Sequence, residues 1–520
     1  MADSTIVFLI LAGVVVLFVS NVVPVEIVAI GTALSLWATD VLDLNQALAG
    51  FGDPTVLFIA SLFVVSEALD ATGVTAWAGQ QLVARAGDSR RRLLVLMMLM
   101  CAGLTAFISV NGAVAALVPV VVVTAVKLQT PSSQLMIPLA FAAHAGSMLT
   151  LTGSPVNVLV SEAADEAGAS PFGYFEFALV GVPLLAGTVV IVVMFGSRVL
   201  PHRNARSMPA DFSEQARVLL AHYELDHQLD GQLFSRQSGV AEVIVRPRSG
   251  LIGAPAFPGM ITESGDLVVL AVHRNGEDLG PKEVSLAAGD VMLLKGTWDA
   301  LAVNLEDPDV LVVDEPRIVR RQAVPLGPGA KRTLAIVAVM VVLLATGAVP
   351  AAVAGLLAAG ALILTRVMSI EHAYRGINWT TIVLVAGMIP LSTAMQSSGA
   401  ADQVADGLLD VVGGPYTLLI GLFVVIAALG QLISNTATAL IVIPVAIAAA
   451  TELDVSVRPV LMFVTVISSA ALLTPVATPA NLMVMGPGGY RFGDYAKLGL
   501  PLLAWYFVVG VGLVPVFWSF

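Results

Sequence analysis

Ser469-Ala470-Ala471-Leu472-Leu473-Thr474-Pro475-Val476-Ala477-Thr478-Pro479-Ala480-Asn481-Leu482-Met483-Val484 is the stretch on which the fold turns. Pro475 and Pro479 lie inside an apolar segment. A proline there removes a backbone donor and clashes with the preceding turn, so a continuous helix is broken. Irregular backbone at membrane depth is tolerated only where protein or a water-filled cavity satisfies it. The freed carbonyls and the hydroxyls can hold a hard cation such as Na⁺. The half-helix that follows offers N–H groups and a positive dipole end to an anion. An earlier version of the motif reads Thr150-Leu151-Thr152-Gly153-Ser154-Pro155-Val156-Asn157. One such break alone also reads as a proline kink without a ligand. Two matched breaks, each with an interrupted apolar run nearby, point to binding.

Composition agrees with a lipid solvent. Of 520 residues, 57% are hydrophobic and 12% charged, where a soluble chain carries about 25% charged residues. The mean hydropathy is +0.90. A net charge of −12 argues against nucleic acid as a partner and gives no polybasic lipid anchor. Cys101, the single cysteine, supports neither a disulfide nor a zinc site. The first twenty residues lack the basic region of a signal peptide and read as a membrane helix. Further apolar runs that can cross a bilayer lie near 22–39, 55–70, 132–149, 175–199, 332–349, 350–366, 379–396, 457–473 and 495–518. Runs 92–126 and 416–450 are interrupted by Ser109-Val110-Asn111-Gly112 and Ser434-Asn435-Thr436. As single helices they would exceed about 50 Å, too long for a core of roughly 30 Å. Each reads as a re-entrant helical hairpin with a polar tip, against a long tilted helix or two full crossings.

The two halves repeat. Pro24 and Pro350, Ala47 and Ala373, Gly50 and Gly376, Thr55 and Thr381, Ser66 and Ser392, and Gly73 and Gly399 are each 326 residues apart. Later the offset is 324, which pairs Asn111 with Asn435 and the helix-break residues Asn157 with Asn481. Basic residues favour the cytoplasmic side. Arg85, Arg90, Arg91 and Arg92 correspond to an acidic stretch with Asp402, Asp406 and Asp410, while Arg366 and Arg375 correspond to Asp40, Asp43 and Asp53. Corresponding loops therefore face opposite sides. The expected fold is an α-helical polytopic membrane protein of two inverted repeats with re-entrant hairpins and broken helices, plus a small cytoplasmic α/β domain. The expected domains are 1–200, the insert 206–318, and 332–520, joined by a return linker at 319–331. Arg198, Arg203, Arg206, Arg320, Arg321, Lys331 and Arg332 border the insert and place it in the cytoplasm, with the chain multi-pass in the inner membrane.

The stretch 469–484 resembles the signature of the divalent anion/sodium symporter family, whose members carry dicarboxylates, citrate, sulfate and similar anions. It departs at Leu472, where that signature has Phe. Ser434-Asn435-Thr436, followed by Pro444, resembles the family's hairpin tip. The resemblance implies one sodium ion held by Asn435 and the backbone at Ala477, and another by Asn111 and the backbone at Gly153, beside Ser109. It implies substrate contacts from Ser434, Asn435, Thr436, Thr478 and Pro479 on one side and Asn111, Ser154 and Pro155 on the other. It also implies a homodimer. The first half departs from the pattern: Val110 and Gly112 replace the Ser and Thr that flank the family's Asn, and Ser109 stands one residue out of register. No Lys or Arg lies in these motifs, so neutral amides, hydroxyls, helix ends and bound cations would hold the anion.

The insert resembles the C-terminal domain of potassium-conductance regulators (RCK-C, or TrkA-C). The landmarks are Ala241-Glu242-Val243, Ser249-Gly250-Leu251-Ile252-Gly253, Val272-His273-Arg274-Asn275-Gly276 and Ala288-Gly289-Asp290-Val291-Met292-Leu293-Leu294-Lys295-Gly296. The likeness implies dimerisation and a small-ligand site, as a regulatory module or an inert dimerisation domain. His144 lies in an apolar segment and reads as a buried, hydrogen-bonded histidine, with a proton or substrate contact as the alternative. No nucleophile–base constellation, phosphate loop or Cys/His metal cluster is present, so no enzyme is expected. The functional expectation is a sodium-coupled secondary transporter of small anions such as dicarboxylate or sulfate. A proton-coupled carrier or exchanger on the same fold is the alternative. A ligand-gated cation channel is disfavoured, because no Thr-Val-Gly-Tyr-Gly filter occurs.

Overall fold

The computed structural model describes residues 2–520 apart from 21, 76, 79–80, 82–84, 86–88, 128–129, 204–237, 263, 275–276, 281, 306, 314–325, 328 and 410–413. The expected start of the insert, most of the return linker, the Asn275-Gly276 turn, and Arg206, Arg320, Arg321 and Asp410 lie outside the described residues. The chain forms two compact units. One comprises Met1–Leu69, Gln81–Met208 and Lys331–Phe520; the other comprises Asp70–Gln80 and Pro209–Ala330.

The first unit is helical, and its elements run twice in the same order. The first pass is α1 (Asp3–Ser20), α2 (Val25–Ala38), α3 (Leu44–Leu48), α4 (Pro54–Ala71), α5 (Arg90–Thr105), α6 (Val110–Lys127), α7 (Met136–Gly146), α8 (Pro155–Glu166) and α9 (Ala178–Val199). The repetition holds where the sequence differs. Asp40 (φ 56°) and Arg366 (φ 55°) both adopt the left-handed conformation at the same repeat position. That conformation costs a non-glycine residue roughly 1–2 kcal/mol, so the backbone turn outweighs the side chain.

In the other unit lies a five-stranded antiparallel sheet of order β4-β3-β6-β1-β7, formed by β1 (Ser238–Val245), β3 (Leu267–Arg274), β4 (Glu277–Asp278), β6 (Val291–Thr297) and β7 (Val310–Val312). A smaller pair joins β2 (Pro255–Ala256) to β5 (Val284–Ser285), and α10 (Trp298–Asn304) follows β6. Alternate residues Val243, Val245, Val269, Met292 and Leu294 meet Trp298 and Leu301 in the core. Gly289 (φ 87°) supplies the turn before β6.

The second helical pass is α11 (Ala330–Thr346), α12 (Ala351–Leu364), α13 (Ile370–Gly376), α14 (Trp379–Ser397), α15 (Ala400–Leu409), α16 (Pro415–Leu429), α17 (Asn435–Glu452), α18 (Val457–Ser468), α19 (Pro479–Gly488) and α20 (Asp494–Val508). The two long apolar runs are each split. α5 and α6 pack together around a tip at 106–109, and α16 and α17 around a tip at 430–434. A single tilted helix is therefore excluded. At about 1.5 Å per residue, α5 and α16 are each under 25 Å long, short of a full crossing.

Not every expected crossing is one continuous helix. Run 132–149 contains a short 3-10 turn (Ser132–Gln134) and the 11-residue α7, and run 457–473 only the 12-residue α18. The chain then breaks and continues as α8 and α19. A hydroxyl N-cap, Ser154 in the first and Thr478 in the second, and a proline at the first helical position restart both. All eleven residues of α7 are buried. Outward faces of other helices are apolar instead, with Val16 65%, Met194 58% and Val339 60% exposed. Together with six helices, among the described residues, long and apolar enough to cross a bilayer, that surface makes this a multi-pass membrane protein.

Candidate substrate site at the two helix breaks

Each break is closed by an asparagine. The amide nitrogen of Asn481 donates to the carbonyls of Ala471 (2.8 Å) and Thr474 (3.0 Å). Asn157 donates to the carbonyls of Ser147 and Thr150, both at 2.8 Å. Both bridges span ten and seven residues back along the chain. Carbonyls at the breaks, among them that of Ala471 four residues before Pro475, are thus paired without water, which buried backbone requires. Gly181 and Gly499 let the next helix press on the break: a Cβ would lie 2.1 Å from the Met148 carbonyl oxygen, or 2.2 Å from that of Leu472.

Both half-helices start in the same conformation. Ser154 (φ −150°, ψ 143°) and Thr478 (φ −145°, ψ 149°) are extended N-caps, each followed by a proline. Ser154 Oγ accepts from Val156 N at 3.2 Å and Thr478 Oγ1 from Asn481 N at 3.3 Å.

Hairpin tips are tied to the breaks. Gln431 Oε1 accepts from Leu473 N (2.8 Å), its Nε2 donates to the Ala470 carbonyl (3.1 Å), and its own carbonyl accepts from Thr474 Oγ1 (3.0 Å). In the first half the Ala106 carbonyl accepts from the hydroxyls of Thr150 and Thr152. Sequence reading missed Gln431; its signal was an amide inside an otherwise apolar run.

These bonds correct the repeat register at the tip. Thr150 bonds Ala106 as Thr474 bonds Gln431, an offset of 325 at the tip against 324 at the break. Ser109 Oγ accepts from Gly112 N (3.1 Å), as Ser434 Oγ accepts from Ala437 N (3.2 Å). Ser109 is therefore in register with Ser434. Asn111 pairs with Thr436, and Val110 occupies the place of Asn435. Matching Asn to Asn followed side-chain identity, whereas helix capping fixes which residue starts the turn.

The halves interlock by exchange. α19 packs on α6 and α7, and α8 packs on α17 and α18. Where α7 meets α19, His144 Nε2 lies 3.2 Å from Asn481 Oδ1 and 3.3 Å from Thr478 Oγ1. The residue that corresponds to His144 is Ser468, whose hydroxyl is buried without a partner, as is Asn157 Oδ1.

The citrate transporter (CitMHS) family profile matches residues 15–467 and 395–520. The chain belongs to that family. It is 31% identical to the uncharacterized transporter YfbS of Escherichia coli over 98% of both chains. It is 28% identical to a probable sodium/sulfate cotransporter 3 of Chlamydomonas reinhardtii, over 46% of this chain and 28% of that one. A crystal structure of the Alcanivorax borkumensis YdaH transporter aligns over 97% of this chain and 98% of that one, with 14% identity and a TM-score of 0.48.

In this citrate-family transporter the structure gathers some expected site residues and leaves others apart. A cavity of about 30 Å³ is lined by Ser66, Phe107, Ser109, Thr152, Gly153 and Pro155, among others. That is room for one water-sized group. Asn111 is half-buried and does not line it. Gly153 is there because a Cβ would lie 2.3 Å from the Ser147 carbonyl oxygen. In the second half Asn435 and Thr436 are half-buried, Ala477 and Thr478 buried, and Ser434 and Pro479 exposed. Asn435 Oδ1 is buried and has no hydrogen-bond partner. An acceptor left bare in low dielectric costs about 1–3 kcal/mol, so that oxygen suits a cation. Among the described residues no cluster of three His, Cys, Asp or Glu side chains stands anywhere.

Proposed function

We propose that this chain is a secondary active transporter of small oxyanions, sulfate or dicarboxylate, coupled to sodium and working by alternating access in the inner membrane. The observation that carries the reading is Asn435 Oδ1, buried and unpartnered at a hairpin tip beside a helix break whose half-helix starts at Thr478. Asn435 and the backbone at Ala477 would hold one sodium ion. The hydroxyls of Ser109 and Thr152, with the backbone at Gly153, would take a second in the first half. Ser434, Thr436, Thr478, Pro479, Asn111, Ser154 and Pro155 would face the anion. Helix N-termini and bound cations would supply its countercharge, and neutral ligands would let it leave. The sodium/sulfate relative supports both cargo and coupling. On this reading the two halves are inverted repeats, and the sheet-bearing insert is a cytoplasmic, RCK-C-like module that dimerises the chain and binds a small regulatory ligand.

Uptake of labelled sulfate or succinate into proteoliposomes tests it. Sodium-stimulated uptake is expected, with the stimulation lost in Asn435→Ala. Uptake that survives Asn435→Ala and Asn481→Ala together would refute the site. Stimulation by a proton gradient in place of sodium would move the chain to a proton-coupled mechanism.

A further inference from the structure

Asn481 cannot be turned around. Its nitrogen donates to the Ala471 and Thr474 carbonyls, which only accept, so Oδ1 is the atom facing His144 Nε2 at 3.2 Å. An amide oxygen only accepts, and therefore Nε2 carries the imidazole proton. The same Nε2 lies 3.3 Å from Thr478 Oγ1, so its one N–H is shared between the two oxygens, and Thr478 Oγ1 also accepts from Asn481 N at 3.3 Å. A hydroxyl has two lone pairs and one hydrogen. With both lone pairs engaged by the protein, the Thr478 hydrogen is the function left over. His144 is 1% exposed and Thr478 8%, so water does not compete freely for either.

We propose that His144 is a positioning residue that makes Thr478 a dedicated hydrogen-bond donor. Acting through Thr478, it biases the site toward oxyanions whose oxygens all accept, such as sulfate and fully ionised dicarboxylates. Anions that bear an O–H, such as hydrogen phosphate, gain less. The inference rests on Thr478 touching the cargo, as proposed above. The device exists in one half only: at the corresponding place the Ser468 hydroxyl makes no hydrogen bond and Asn157 Oδ1 is unpartnered. Ser154 accepts from a single backbone N–H and keeps a lone pair for other uses.

His144→Leu keeps the volume and removes the donor, while His144→Gln restores an N–H at similar reach. In sodium-containing proteoliposomes, His144→Leu is expected to raise the KM for sulfate roughly tenfold with little change in kcat. It is also expected to narrow the preference for sulfate over phosphate, and His144→Gln should recover most of both. Thr478→Val should remove the effect, so that Thr478→Val with and without His144→Leu behave alike. Equal KM values in the Leu and Gln variants, or an additive double variant, would overturn the proposal. A purely structural histidine would lower the thermal midpoint in detergent without changing the sulfate-to-phosphate ratio, and that outcome also overturns it. One arm needs no cargo. Nitrogen-15 histidine NMR, with His144 assigned among six histidines by the signal lost in His144→Gln, should show the Nε2–H tautomer. An Nδ1–H tautomer sinks the inference even if sulfate and succinate are transported. Absence of uptake with the Nε2–H tautomer present would instead count against the cargo.

Discussion

Asn157 and Asn481 sit third in their half-helices, and each turns a gap in the helix into a closed loop. Removing the Asn481 amide leaves the Ala471 and Thr474 carbonyls unpaired, and removing that of Asn157 leaves the Ser147 carbonyl unpaired while Thr150 keeps Gly153 N (3.2 Å), at about 1–3 kcal/mol for each buried group. Asn157→Ala and Asn481→Ala are therefore expected to lower the thermal midpoint of the detergent-solubilised protein and to abolish uptake. Asn481→Asp should do no better, because a carboxylate cannot donate to those carbonyls. A wild-type midpoint in Asn157→Ala would count against the clamp. In the insert, buried Asp290 accepts from Arg274 Nε (2.7 Å), Arg274 Nη2 (2.8 Å) and Ala287 N (2.7 Å). The Arg274 guanidinium, aided by the Ala287 N–H, holds its carboxyl below the usual carboxylate range despite burial. The folded pKa lies below the unfolded one, so this stabilisation is complete above about pH 4 and drains away as pH falls through the folded value. Hydrogen exchange across 238–312, corrected for intrinsic rates, should lose protection below that pH. In Asp290→Asn protection should be lower already at neutral pH and less acid-dependent.

At the level of elements, close helix contacts between the halves depend on missing side chains. A Cβ on Gly387 of α14 would lie 2.7 Å from the backbone of Ala29 on α2, and one on Gly355 of α12 would lie 2.0 Å from Ser61 Oγ on α4. The repeat offset of 326 carries one contact onto the other with the halves exchanged. Small residues allow such approach where lipid offers no hydrophobic drive between helices. Backbone cannot move aside as a serine hydroxyl can. Gly387→Val is thus expected to destabilise by about 1–3 kcal/mol and Gly355→Ala by less, read as thermal midpoints of the full chain. A neutral Gly387→Val would contradict the contact. The split of runs 92–126 and 416–450 was legible as an interruption by polar residues. The sequence left open hairpin or tilted helix, because length limits a helix and does not say where it turns.

Across the whole molecule, reciprocal packing of α8 on α17 and α19 on α6 places each half's broken helix against the other half's hairpin arm. On the function proposed above, such an arrangement would provide the paired half-sites that alternating access uses. Whether the repeats are inverted is decided by sidedness. Asn45 and Glu371 are exposed, polar and at matching repeat positions, and the natural Cys101 is buried. In oriented vesicles, Asn45→Cys and Glu371→Cys are expected to react with an impermeant maleimide from opposite sides. Labelling of both from one side would make the repeats parallel and remove the structural basis for the transport cycle.

Sequence by itself settled the membrane solvent, the repeat and the two breaks. Each follows from local chemistry: apolar run length, landmarks at constant spacing, and prolines that cannot stay in a helix. Asn157 and Asn481 were found as helix-break residues in the same way. What tertiary structure alone decided was partnership. Ser109 pairs with Ser434 because capping hydrogen bonds define the turn, and identity matching had set Asn111 against Asn435. Gln431 and His144 acquire roles only when segments 39 and 337 residues away come within hydrogen-bond reach. Such contacts leave no periodicity in the chain, because a hydrogen bond is specified by distance and direction in space, which a linear order of residues does not contain.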